Sequence, residues 1–524
     1  MIRISPKTQS HFCLELDVIA PDKSISHRSA MFALLCDKPS IIRNYLQAGD
    51  TISTLNIAKS LGLGVESSID SSGLNVMKLT PPKKFIEPNC VLDCGNAGTA
   101  MRLYIGLLAG LAGSEKMPKE YKSNADSNDF DEKGGFYCVL SGDKYLCARP
   151  MNRVILPLRS IGASIFSRSG GLAPLSIIAR RLDGFSYTSQ IASAQVKSAM
   201  ILSALHAKSP SVYIEPTLTR AHTETMLAGM DAPIKVENLS DCDESSEADS
   251  SQIAIHKITS CKNTSRDSCD FDSADYRSKS RSLSGRKIHI YPLSRALEPL
   301  DFAVPADPSS AFYFALAAAI TPNSEVLLKN VALNPTRIEA YKVLEKMGAK
   351  IRYENVKTQY EEVGDIYVAS GTLVGVKVEE NIAWLIDELP ALSIAMALAN
   401  GVSEVKNAKE LRVKESDRIK AVLQNLSALG VGYEEREDGY VIYGGGFFSD
   451  SQKSDLDFGK SKQGKQKHTK IPQIKSFGDH RIAMSFAIAG LITQLQIDDE
   501  SCMSISFPNF LEILSQIAEI QIAK

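Results

Sequence analysis

Residues 22–28 read DKSISHR, and the stretch they open runs through an apolar segment to Leu61-Gly62. Its two ends carry different helix signals. At the start, Ser24 precedes an apolar helical run and offers a hydroxyl where unpaired backbone N–H groups need an acceptor. At the finish, a bulky apolar residue followed by glycine suits a left-handed C-cap, and a strand-like run follows. Both signals recur. Opening copies stand at Gly98-Thr99, Ser193, Asp307-Pro308-Ser309, Asp387 and Asp479. Closing copies stand at Ile161-Gly162, 344–348 and Leu429-Gly430, with a looser one at 227–229. Each opening is followed by a closing after roughly 35 to 45 residues, the spacing of a repeated supersecondary unit. The hydrophilic stretch 114–135 interrupts this spacing once, and a sixth closing helix at 510–517 lacks its glycine. Strand-like runs such as 211–214 and 326–328 lie between the helices, so each of six units reads as mixed α/β, three to a domain.

A chain of 524 residues is too long for one core at ~150 residues per domain. Its 44% hydrophobic and 23% charged residues are ordinary for a soluble globular protein, and 59 Lys+Arg against 61 Asp+Glu leave a net charge of -2. Nucleic acid is therefore not an expected partner, and any anion must be held by cations placed locally. The longest apolar stretch, near 103–113, is far short of the ~18 residues of a membrane span, and no secretory segment opens the chain. A cytoplasmic protein is expected. The ten cysteines include no CxxC pair, which suits reduced thiols, and Cys90 with Cys94 does not suggest a metal site. Two further stretches, 237–286 and 448–475, are rich in Ser, Asp and Lys and read as surface loops.

If the six units are equivalent, their opening helices can aim their N-termini at one place, where N–H groups and the dipole favour an anion. Ser24 and Arg28 lie four apart on one helical face with Lys23 beside them, a set able to grip carboxylate or phosphate. The alternative is that Ser24 caps the helix and the cations are solvated; cations at a helix start oppose the dipole, which favours the anion. GNAGTAMR (95–102) is a glycine turn that lets a ligand approach the backbone, or simply a tight turn. Ser193 to Ser198, with Gln195 and Lys197, again offers donors or a cap. In ELRVKESDR (410–418) the like charges Lys414 and Arg418, at helical i,i+4 spacing, would repel without an anion between them; a charged surface helix is the alternative. Asp479, His480 and Arg481 crowd one start. Asp387 reads as an N-cap before Pro390, or, among so many cations, as an ionised proton acceptor.

These motifs, with RPMNRVILPLRSIGA (149–163), IEPTLTRAHTETML (214–227) and VPADPSSA (304–311), resemble EPSP synthases, in particular the class II bacterial branch, over nearly the whole chain outside the hydrophilic stretches. The resemblance implies two domains, each an inside-out α/β barrel (EPT/RTPC-like) of three βαβαββ units, joined by a double crossover: residues 21–303, and 1–20 with 304–524. It implies enolpyruvyl transfer from phosphoenolpyruvate to shikimate 3-phosphate by addition and elimination. Lys23, Asp387 and Glu415 would then be catalytic. Shikimate 3-phosphate would meet Lys23, Ser24, Arg28, Ser193, Ala194, Gln195, Arg220, Asp387 and Lys414. Phosphoenolpyruvate would meet Lys23, Asn96, Gly98, Arg149, Gln195, Glu415, Arg418 and Arg481. No metal, no cofactor and no membrane partner are implied, and a monomer is expected.

Two features qualify the resemblance. Many members carry Lys where Ile505 stands here, and Gly98 keeps the glycine of glyphosate-sensitive members. The rival resemblance is to UDP-N-acetylglucosamine enolpyruvyl transferases, which have Lys-Asn near their start and a reactive Cys before an Arg-Pro. Here Ser24 follows Lys23, and Cys147 precedes Arg149 at a different spacing. A non-catalytic anion-binding relative of the same fold is the third reading; both acids, Asp387 and Glu415, argue against it.

Overall fold

The computed structural model describes residues 1–8, 11–71, 73–122, 135–239, 285–358, 360–447 and 471–522. The hydrophilic stretch 114–135 and the expected surface loops at 237–286 and 448–475 fall largely outside these residues.

The six opening signals become the helices Lys23–Ala33, Gly98–Gly110, Ala194–Ala204, Pro308–Ile320, Leu389–Leu398 and His480–Ala489. They are buried nearly all round, polar Ser26, His27, Arg28 and Ser29 of the first included; every side chain of the apolar Pro308–Ile320 is buried. A helix of that composition has to be central. The first three helices share one hydrophobic core and the last three another, and each set is walled by three sheets. Asp307, Asp479 and Ser193 cap their helices as the sequence suggests. Asp22, not Ser24, caps the first: its Oδ1 accepts from Ile25 N at 2.8 Å. Asp387 caps nothing, since Glu388 holds the cap position of its helix.

The closing helices end as read at Gly62, Gly162, Gly348 and Gly430, all with positive φ. At the looser copy Gly229 is still helical, and Asp231 (φ 60°) takes the left-handed position. Aspartate tolerates that region better than most residues. Gly229 is needed elsewhere, because a Cβ there would lie 2.6 Å from the Tyr360 ring.

Among the described residues all six sheets hold four strands with the same sequence of pairings, one parallel and two antiparallel. In one, Ser211–Glu215 pairs parallel with Ser186–Thr188 and antiparallel with Gly285–Ile290, which pairs antiparallel with Ile234–Leu239. Strands remote in sequence enter three of them, one being Ile2–Pro6 between Leu495–Ile497 and Ala518–Ile522. Asp301–Ala303 joins Ser40–Arg43, and Cys13–Leu16 joins Glu325–Ala332. The chain therefore passes between the lobes twice, and the two passages bond to each other: Asp22 N donates to Pro305 O at 2.7 Å and Asp307 N to Ala20 O at 2.9 Å. Buried Arg337 fastens both, donating to Asp22 Oδ2 (3.2 Å) and Asp307 Oδ1 (2.7 Å). No helix among the described residues is long and apolar enough to cross a membrane.

Candidate active site

The opening helices converge on a cleft of about 880 Å³ between the lobes. Because Asp22 does the capping, the Ser24 hydroxyl and Lys23 are left to line that cleft. Lys23 forms an ion pair with Asp50. Arg28, one turn on, lies behind the wall. It donates to Thr223 Oγ1 (2.7 Å), Ser198 Oγ (2.9 Å) and Ser24 O (3.0 Å), so it braces three segments of chain, and burial pulls its guanidinium down to about 10.

Ser193, Ala194 and Gln195 line the cleft at the start of their helix. Gln195 Nε2 donates to Thr99 Oγ1 at 2.9 Å, and its Oε1 accepts from Arg102 Nη1 at 2.7 Å. Arg102 is a residue the motif reading passed over, although it stands one turn from Gly98 on the same helical face. Its buried Nε has no partner among the described residues. Asn96 and Gly98 lie beneath Arg149: Arg149 Nη2 donates to Asn96 Oδ1 at 2.8 Å, and a Cβ on Gly98 would sit 3.3 Å from Arg149 Nη1.

On the second lobe Arg418 gathers three carboxylates, from Asp479 (2.9 Å), Glu415 (2.7 Å) and Asp387 (3.2 Å). It is the first residue of the Arg418–Ala428 helix, whereas Lys414 precedes that helix. The expected i,i+4 repulsion between them is thus not a helical one, and Lys414 is answered by Glu410 at 2.9 Å. Burial would raise the Asp387 carboxyl, but Arg220, Arg481, Arg418 and Lys414 outweigh it and hold it well below the carboxylate range. Glu415 is likewise held down against burial by Arg418 and Arg149. Burial, with Lys23 and Arg481 nearby, keeps the His480 imidazole well below its usual value and hence neutral. Arg481 and His480 line the cleft, while Asp479 stays behind it on Arg418 and Ser416.

First-lobe Arg220 reaches Asp387 at 2.6 Å, and Arg149 reaches Glu415 at 3.2 Å. The residues of the two implied substrate sites are therefore brought to one place, with Arg28, Asn96 and Gly98 one layer back, whereas Lys197 is buried away from the cleft against Glu215 (2.8 Å) and Glu224 (2.7 Å). Among the described residues nine Lys or Arg against six Asp or Glu line the cleft. That surplus, in a chain whose net charge is -2, suits a multiply charged anion. Among the described residues no group of three or more His, Cys, Asp or Glu is placed to hold a metal ion. Cys147 does not line the cleft; its thiol faces Gly142 O at 3.2 Å.

The profile of the family EPSP synthase (3-phosphoshikimate 1-carboxyvinyltransferase) matches residues 14–242 and 280–514. A 3-phosphoshikimate 1-carboxyvinyltransferase of Wolinella succinogenes is 48% identical, over 97% of this chain and 95% of its own length. One from Nitratiruptor sp. is 47% identical over 99% of both chains. The solved EPSP synthase of Acinetobacter baumannii superposes with a TM-score of 0.71 at 29% identity, covering 99% of each chain. A cleft of converging helix starts, two acids tied to one arginine, and a likeness running the length of the molecule lead to one assignment: the chain belongs to the EPSP synthase family.

Proposed function

We infer that the protein transfers the enolpyruvyl group of phosphoenolpyruvate to the 5-hydroxyl of shikimate 3-phosphate, releasing phosphate. The observation that carries this reading is Arg418 holding Asp387 and Glu415 side by side in a cleft with a surplus of cations. Cations at the helix starts bind the two anions and hold them together, an arrangement worth ~7 to 11 kcal/mol of barrier when alignment is good.

In the addition, the 5-oxygen bonds to C2 of phosphoenolpyruvate, Asp387 takes the hydroxyl proton, and C3 receives a proton from Glu415 or Lys23. Because Glu415 is held ionised, Lys23 is the donor we favour. In the elimination, C3 returns a proton, the C2–O bond to phosphate breaks, and the enol ether forms. Arg220 and Lys414 would hold shikimate 3-phosphate; Arg149, Arg418 and Arg481 would hold phosphoenolpyruvate.

We read residues 21–303 as one lobe and 1–20 with 304–524 as the other. The separate cores support this division, although Leu46 and Ala48 pack into the second core. Action as a cytoplasmic monomer without a cofactor completes the proposal. The test is phosphate release from phosphoenolpyruvate by the purified chain. Release that requires shikimate 3-phosphate is expected. Release with UDP-N-acetylglucosamine in its place would reject the reading, and so would binding of both substrates with no release.

A further inference from the structure

Among the described residues three ion pairs cross the cleft from lobe to lobe: Arg149–Glu415 (3.2 Å), Arg220–Asp387 (2.6 Å) and Arg153–Glu410 (2.7 Å). The proposed reaction gives both members of the first two pairs to substrates, so a bound phosphate or carboxylate competes for those contacts. Arg153 and Glu410 have no such duty. Arg153 stands on the Asn152–Ser160 helix and Glu410 on the Lys409–Val413 turn, and both line the cleft. Glu410 Oε1, which accepts from Arg153, also accepts from Lys414 Nζ at 2.9 Å. Burial would raise the Glu410 carboxyl, but Lys414 and Arg153 overcome this and keep it ionised. One oxygen thus joins the opposite lobe to a lysine placed for shikimate 3-phosphate.

We propose that Arg153 and Glu410 form a latch that keeps the lobes closed while substrates occupy the other cross-cleft cations, with Glu410 aiming Lys414 into the site. Both are positioning residues, and the inference rests on the proposed reaction. It assigns work to a pair that would otherwise count as a part-buried surface bridge of small consequence, at 22% and 37% exposure. The difference lies in coupling. A bridge that only decorates the rim leaves KM alone, whereas a latch ties substrate binding to closure.

The chain carries its own closure reporter. Trp384, its only tryptophan, donates from Nε1 to Leu218 O across the same cleft at 2.6 Å. Arg153→Gln, Glu410→Gln, the double variant and Arg153→Lys, all in the full chain, are compared by phosphate release and by Trp384 emission at saturating shikimate 3-phosphate. Each neutralised single variant is expected to raise KM for both substrates by roughly tenfold, with kcat less affected. The double variant should match Glu410→Gln alone, and Arg153→Lys should recover most of the loss. Emission of the neutralised variants should lie to the red of the wild type, as an indole in a more open cleft requires. Additive losses in the double variant, or wild-type KM and emission in the singles, would overturn the latch. A wild type whose emission responds to shikimate 3-phosphate but which releases no phosphate would overturn the reaction instead, with the latch still judged from emission.

Discussion

Asp387 is kept as a carboxylate by cations from separate parts of the chain: Arg220 from the first lobe, Lys414 and Arg418 from one segment of the second, and Arg481 from another. Replacing it with Asn should lower kcat by ~10²- to 10⁴-fold, the usual worth of a positioned base. A loss under about tenfold in phosphate release, with the fold intact, would remove it as proton acceptor. The sign of its shift also fixes a pH dependence. A depressed carboxylate stays charged down through the usual range near ~3.9, so Asp387 should give kcat/KM no acid limb around pH 6; a limb there would point to another group. Gly98 makes the second argument at this scale. A Cβ on it would lie 2.9 Å from Arg102 Nη1 and 3.3 Å from Arg149 Nη1. Since both are the far ends of flexible side chains, Gly98→Ala should leave stability within about 0.5 kcal/mol of the parent. It should raise the KM for phosphoenolpyruvate and raise the inhibition constant for glyphosate more. Unchanged inhibition, or inhibition indifferent to phosphoenolpyruvate concentration, would contradict this. The sequence displays Gly98 and Arg102 but not their contact, because a side chain's reach is set by neighbours such as Gln195, far along the chain.

The Gly98–Gly110 and Ala194–Ala204 helices run parallel, and their separation is set away from the site. A Cβ on Gly106 would collide with the Ala199 backbone, one on Gly110 with Ser203, and one on Gly113 with His206. The close approach continues to the open end, where Arg102 and Thr99 meet Gln195 at 2.7 Å and 2.9 Å. Gly106→Ala must push backbone rather than side chain, so it should cost about 1–3 kcal/mol of stability, as overpacking does. It should also lower kcat/KM although no site residue has changed. A urea midpoint equal to the parent's would show that the helices part without cost. Much at this scale was legible in advance, since an apolar residue followed by glycine announces the end of a closing helix, and a small or acidic residue before an apolar run announces the start of an opening one. What was not legible turned on choices between adequate residues. Asp22 and Ser24 are both good caps, and the order of DKSISHR does not say which one caps. Lys414 and Arg418 have helical spacing, but the helix starts only at Arg418. The glycines at 106, 110 and 113 stood in plain view, while the helix they face lies far along the chain.

Charge at the scale of the molecule appears in its histidines. Burial, with Lys23 and Arg28 close by, keeps His27 well below its usual value, and burial beside Lys116 takes His206 down to about 4. Both are buried as neutral rings. As pH falls through ~6.5 the unfolded chain takes up protons that the folded chain refuses, and stability drops by up to ~1.4 kcal/mol per pH unit for each such ring. The urea midpoint should therefore fall between about pH 7.5 and about pH 5.5, and a flat profile would refute this. The six-unit plan could be read from the repeat of helix signals. The joint between the halves could not, since Arg337 lies outside every motif quoted. At that joint Asp22 and Asp307 each serve twice. Asp22 caps the helix that begins at Lys23, while Asp307 caps the Pro308–Ile320 helix and also accepts from Lys23 N at 3.1 Å. The two passages meet in one antiparallel bridge, Pro21 with Ala306, and with Arg337 across both they stitch the halves together along a single seam. Lys23 follows that seam directly and is moored to it through its own backbone N–H, so the lysine proposed to protonate the substrate takes its position from both halves at once.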